Sequence, residues 1–116
     1  MTPGHDDDAL PARRVTYSKT FREQLAEFIE RGELRYGARL AEEKEWLVLD
    51  FIDTTLARTP ALKRRNTQLH LVVNPVTNTP FIVIYDYDDQ ELRVMACLLK
   101  GAGVRINEFD PSIVEW

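Results

Sequence analysis

Phe81-Ile82-Val83-Ile84-Tyr85-Asp86-Tyr87, then Asp88-Asp89-Gln90, then Glu91-Leu92-Arg93-Val94-Met95-Ala96-Cys97-Leu98-Leu99 spells two β-strands and the turn between them. The first run is dense in β-branched and aromatic side chains, which suit a pleated, half-buried surface. The polar triplet carries turn chemistry. In the return run, period-two alternation places Leu92, Val94, Ala96 and Leu98 on one face. Tyr85 and Tyr87 fall on the face of Phe81 and Val83, so they are expected to pack with their hydroxyls at the rim. Cys97 alternates with Arg93, Met95 and Leu99 and reads as a small packed side chain.

Working outward, Leu69 to Val73 is strand-like, and Asn74 to Pro80 is a run of turn residues. Upstream, a helix is predicted from about Ala38 to Arg58, because Pro60 cannot extend it. Leu40, Ala41, Leu47, Val48, Phe51, Ile52 and Leu56 form its apolar stripe. An earlier helix places Phe21, Leu25, Phe28 and Ile29 on one face. Thr20 and Glu23 fit a capping box at its start, and Gly32 is a natural stop. Arg14 to Tyr17 is a short β-prone run. After Leu99, Gly101 and Gly103 end the last strand.

The order is β-α-α-β-β-β, an α+β domain with a helical hairpin packed on a small antiparallel sheet. The chain divides into an acidic tail over 1–11, a domain over 12–105 and a C-terminal tail over 106–116. Phe109, Ile113 and Trp116 of that last tail are expected to fold back, since apolar side chains favour burial.

At 116 residues the chain is one domain, large enough to bury roughly two-thirds of its unfolded surface. Its single cysteine excludes an internal disulfide. No apolar run approaches the ~20 residues of a membrane span, and the acidic N-terminus is not a signal peptide. A cytoplasmic address is expected. The formal net charge of −4 argues against a binder held on nucleic acid by phosphate contacts. The charge is uneven. Residues 13–65 hold twelve basic and nine acidic side chains, whereas residues 66–116 hold three and seven. The densest basic point is Lys63-Arg64-Arg65.

The opening strand into Ser18-Lys19-Thr20-Phe21-Arg22, the helical hairpin, the block Phe81 to Asp89 and the return strand Leu92 to Lys100 together resemble the RelE/ParE toxin superfamily, over roughly residues 13–105. The resemblance implies a toxin of a type II toxin–antitoxin module, held in check by a partner antitoxin. RelE-like members cut messenger RNA on the ribosome. ParE-like members poison DNA gyrase and are not nucleases.

RNA cleavage needs groups that remove and supply protons, and positive charge on the phosphorane. Ile82 stands where a RelE-like nuclease usually carries Arg, and Gly101-Ala102-Gly103 offers no acid or base after the last strand. Arg93, Lys100, Tyr85 and Tyr87 remain, too few for a nuclease site. The chain therefore resembles the ParE-like branch, although after Lys100 it has only Arg105 where many such chains show a cluster of Arg. This implies a non-enzymatic protein without cofactor, whose partners are a ParD-like antitoxin and, by resemblance, DNA gyrase. Sequence-specific nucleic-acid binding is not expected. The alternatives are a RelE-like ribosome-dependent endonuclease and a non-toxic interaction domain of the same fold.

No metal site is expected, because His5, His70 and Cys97 lack zinc-ligand spacing and His5 with Asp6–Asp8 reads as a polar tail. A Cys97–His70 nucleophile pair is conceivable but secondary to packing. Trp46 falls opposite the predicted apolar stripe, with Leu49 beside it. The plain reading is a misplaced helix register or a tryptophan tucked against the tail, and the functional one is an interface anchor, since exposed Trp is enriched at such anchors. Trp46 and Leu49 are thus the candidate antitoxin contacts. Lys63, Arg64, Arg65, Lys100 and Arg105 are the candidate target contacts, each with solvated surface charge as the plainer alternative.

Overall fold

The computed structural model describes residues 12–101 and 106–116. Strand β1 spans Arg14–Tyr17, helix α1 Lys19–Tyr36 and helix α2 Ala38–Asp50, which runs on as a π-helical turn over Phe51–Leu56. A 3-10 turn at Pro60–Leu62 precedes β2 (Val72–Pro75), β3 (Phe81–Tyr87) and β4 (Glu91–Leu99). Two further 3-10 turns cover Ile106–Glu108 and Pro111–Ile113. The order is the expected β-α-α-β-β-β, and the class is α+β.

The sheet is mixed rather than wholly antiparallel. Its order is β1-β4-β3-β2, and β1 runs parallel to β4. The helical hairpin supplies the long crossover that a parallel neighbour requires. The meander β2-β3-β4 is antiparallel. Strand β2 starts later than the sequence suggests. Residues 69–71 belong to a turn in which Asn66 Oδ1 accepts from the Gln68 and Leu69 N–H groups and His70 takes φ 60°.

Helix α1 is capped by Ser18, not Thr20. Ser18 Oγ accepts from the Phe21 N–H at 2.8 Å and donates to the Met95 carbonyl at 2.6 Å. Thr20 lies one residue inside the helix, where its hydroxyl accepts from the Glu115 N–H. The helix also passes Gly32 and stops at Gly37, whose φ of 94° suits glycine and whose N–H donates to Glu33 O.

Phe21, Leu25 and Ile29 of α1, with Val48, Ile52 and Leu56 of the second helical stretch, pack on Val83, Tyr85, Leu92 and Val94 of the sheet. Each such side chain, fully buried, is worth roughly 1.5–3 kcal/mol. A β-bulge breaks the alternation expected of β4. Ile84 pairs with Ala96 and Tyr85 with Val94, so Met95 is the extra residue. Leu92 and Val94 therefore face the helices together with Cys97. Ala96 and Leu98 face the opposite side, with Leu71 and Ile84. A single inserted residue thus moves Ala96 and Leu98 off the predicted face and brings Cys97 onto it.

Beyond Ser18, the edge of β4 is shielded by α1, because Gln24 Oε1 accepts from the Cys97 N–H at 2.9 Å. In the C-terminal tail, Phe109 folds back onto the sheet, whereas Ile113 and Trp116 stay 67% and 52% exposed.

Candidate partner-binding groove

The groups considered for chemistry are dispersed. Arg93 sits beside the β3–β4 turn and is held by Glu91 at 3.0 Å, Asp88 at 3.2 Å and Asp86 at 3.4 Å. These carboxylates raise its already high pKa. Lys100 lies past the other end of β4, about 20 Å away by strand rise, and its Nζ donates to Val76 O at 2.9 Å. Tyr85 is buried, with its hydroxyl donating to Pro60 O at 2.6 Å. The Tyr87 ring lies beneath two guanidiniums, those of Arg65 and Arg13. Tyr17 donates to Asp53 Oδ1, and its phenol pKa is raised first by burial and then by that carboxylate. Arg93 and Lys100, at opposite ends of β4, do not converge on one site with the Tyr17 or Tyr85 hydroxyl.

Cys97 is buried in the helix-facing core, and burial pushes its thiol up to about 12. His70 is exposed in the turn before β2. The two do not form a nucleophile pair. Among the described residues no group of His, Cys, Asp and Glu is placed to hold a metal ion; His5 and Asp6–Asp8 lie outside them. Among the same residues, no helix is long and apolar enough to cross a membrane.

The basic triplet separates into two kinds of residue. Arg65 is committed to the fold, forming an ion pair with Asp86 and donating to Tyr87 O at 3.0 Å. Lys63 and Arg64 are exposed. Arg105 lies outside the described residues. Trp46 is 62% exposed on the outer side of α2. Leu49 is half-buried and packs against the core, where with Tyr17, Phe21 and Arg22 it lines a hollow of about 350 Å³.

A larger groove, of about 600 Å³, opens where the α1–α2 turn overhangs the start of β3 and the end of β4. Its floor is apolar. Phe28 stacks on Phe81 with centroids 6.0 Å apart, flanked by Ile29, Leu40, Ala41 and Leu99. Its rim is basic, made by Arg31, Arg35, Lys44 and Lys100, and among the described residues no carboxylate lines it. Arg31 pairs with Glu27 one turn back. Lys44 Nζ donates to Asn78 O at 2.7 Å and Lys100 to Val76 O, so both lysines fasten the β2–β3 turn while facing the groove. Arg35 has no ion pair among the described residues. The exposed Tyr36 also lines it, and an apolar floor under a cationic rim is suited to seating an apolar segment that carries negative charge.

Of the predicted contacts within the described residues, only Lys100 lines this groove. The signal missed in the sequence was local. Phe28, Arg31 and Arg35 share one side of α1 at spacings of three and four, and Leu40 and Lys44 repeat that pattern on α2.

No protein-family model matches the chain, and no curated protein matches it in sequence. Among solved structures it is similar to a chain described as "Chromosomal ParDE TA system from P. aeruginosa". The TM-score is 0.66 at 9% identity, over 76% of this chain and 96% of the other. At that identity the likeness is one of fold, and the fold it shows is ParE-like.

Proposed function

We propose that this chain is the toxin of a type II toxin–antitoxin module, ParE-like, which acts by gripping proteins and is neutralised by a ParD-like antitoxin seated in the groove. The observation that carries this reading is the groove lining, an apolar floor under four cations with no carboxylate among the described residues. An amphipathic helix with Asp and Glu along its polar flank matches both features. The fold shared with a chain of a ParDE system supports the assignment. The distance between Arg93 and Lys100, and the engagement of the Tyr17 and Tyr85 hydroxyls, support recognition rather than catalysis, with no cofactor.

By the same reading the target is DNA gyrase. Lys63, Arg64, Lys100 and Arg105 are its candidate contacts, while Trp46 and Leu49 extend the antitoxin surface. The test is induction of the chain alone and together with the adjacent antitoxin frame, followed by assays on purified components. Growth arrest relieved by the antitoxin, with inhibited gyrase supercoiling and intact ribosome-bound messenger RNA, is the expected result. Cleaved messenger RNA with active gyrase would assign the chain to the nuclease branch. Normal growth would leave it an interaction domain.

A further inference from the structure

The helices cover one face of the sheet. The other face carries Leu71, Ile84, Ala96 and Leu98, the last two turned there by the Met95 bulge. An apolar face of this kind needs a cover, and Phe109 lies on it. The chain then runs to the first turn of α1. There the Thr20 N–H donates to Glu115 O at 3.2 Å, and the Glu115 N–H donates to Thr20 Oγ1 at 2.8 Å. Residues 106–116 are therefore fastened at two points, an aromatic side chain on the sheet and a hydrogen-bonded pair at a helix end.

Between those points the segment holds its own shape. Asp110 Oδ1 accepts from the Ser112 N–H at 2.9 Å and from its hydroxyl at 2.7 Å, capping the turn Pro111–Ile113. Ile113 and Trp116 are mostly outside the packing. A segment whose whole task was to seal the sheet would bury them.

We propose that the helix-free face of the sheet is a peptide-docking surface, which residues 106–116 of the same chain occupy as an exchangeable strap. The seat is the apolar patch under Phe109, so a competing segment must bring an aromatic side chain to it. A closed strap lowers a competitor's apparent affinity by the fraction of time the seat is covered. This surface is separate from the basic-rimmed groove, and the proposal does not depend on the toxin reading.

The test uses the intact chain and a synthetic peptide of residues 106–116 with a fluorophore at its N-terminus. Wild type should bind the peptide weakly, because the tethered strap competes at high effective concentration. Full-length Phe109→Ala should bind it about 10-fold tighter, and the peptide carrying Phe109→Ala should bind neither chain. Should Phe109→Ala fail to fold, full-length Asp110→Ala provides the comparison. It removes the cap of the Pro111–Ile113 turn from the tethered strap while the wild-type peptide keeps it, and should tighten peptide binding about 3-fold. Equal peptide affinity for wild type and for each folded variant, or no binding to any of them, overturns the proposal.

Discussion

The guanidinium of Arg65 lies over the ring of Tyr87, with its central carbon 4.4 Å from the ring centroid, while pairing with Asp86 on the same strand. Arg13 approaches the same ring at 5.6 Å and donates through Nε to Asp88 O at 2.6 Å. Three segments distant in sequence meet here: the lead-in to β1, the connector after the helices, and β3. Arg65→Ala should lower stability by about 1–2 kcal/mol, read as a drop in urea midpoint. Arg65→Lys should recover only part, since an ammonium cannot reproduce the planar fork. Lys63→Glu/Arg64→Glu should shift stability by no more than about 0.5 kcal/mol. If Arg65→Ala kept the wild-type midpoint, the triplet would be solvated charge throughout.

Ser18 joins helix to sheet. Its hydroxyl serves the Phe21 N–H and the Met95 carbonyl together in a fully buried position. Ser18→Ala leaves both groups without that partner and should cost about 2 kcal/mol. Thr20→Ala should cost less than about 1 kcal/mol, because the Thr20 hydroxyl serves only the exposed Glu115 N–H. Thermal unfolding of the two variants decides the order. A larger loss for Thr20→Ala would return the cap to the residue that the sequence pattern favours.

That reversal shows what was legible in the chain. Strands with strong composition, Phe81–Tyr87 and Glu91–Leu99, have the bounds read from sequence, because β-branched and aromatic runs carry their own signal. Boundaries set by tertiary partners were hidden. Ser18 outcompetes Thr20 because a β4 carbonyl also claims its hydroxyl, and Met95 becomes a bulge only through its pairing with β3. The parallel placement of β1 is likewise a choice of partner, and nothing in Arg14–Tyr17 encodes it. The groove escaped notice for a related reason, since its walls come from four segments and its cations look like ordinary surface charge. Trp46 is the opposite case. Helical geometry alone placed it away from the core, and it is exposed.

The acidic turn should make stability depend on pH in one direction. Hydrogen bonds from the Gln90 and Glu91 N–H groups, then Arg93, hold Asp88 down at about 2. Burial pushes Asp86 up, but bonds from Arg65, the Tyr87 N–H and Arg93 outweigh it and leave its pKa lowered. A carboxylate with a depressed folded pKa contributes stability above its unfolded value, near 3.9, and loses that contribution as pH falls through the folded value. The urea midpoint should therefore decline from about pH 4 toward about pH 2. Asp88→Asn should flatten the decline more than Arg93→Gln, because two backbone donors remain when the arginine is removed. Equal flattening by both variants would place the arginine, not the turn backbone, in control.

The groove makes the sharpest demand. Arg35 stands on its rim without an ion pair among the described residues, whereas Lys44 and Lys100 already hold the β2–β3 turn. Reversing charge at Arg35 should thus leave the fold intact, while Lys44→Glu also loosens the turn through Asn78. If an acidic segment docks here, Arg35→Glu should weaken partner binding by about 10-fold or more, through lost attraction and new repulsion. Wild-type affinity should fall as salt rises, with a shallower slope in Arg35→Glu. Leu40→Ala on the floor should weaken binding with little change in that slope, since it removes apolar area and no charge. Isothermal titration at several ionic strengths reads all three together. A partner that binds Arg35→Glu and Leu40→Ala as tightly as wild type is seated elsewhere, and the exposed Trp46 on the outer side of α2 would then be the place to look.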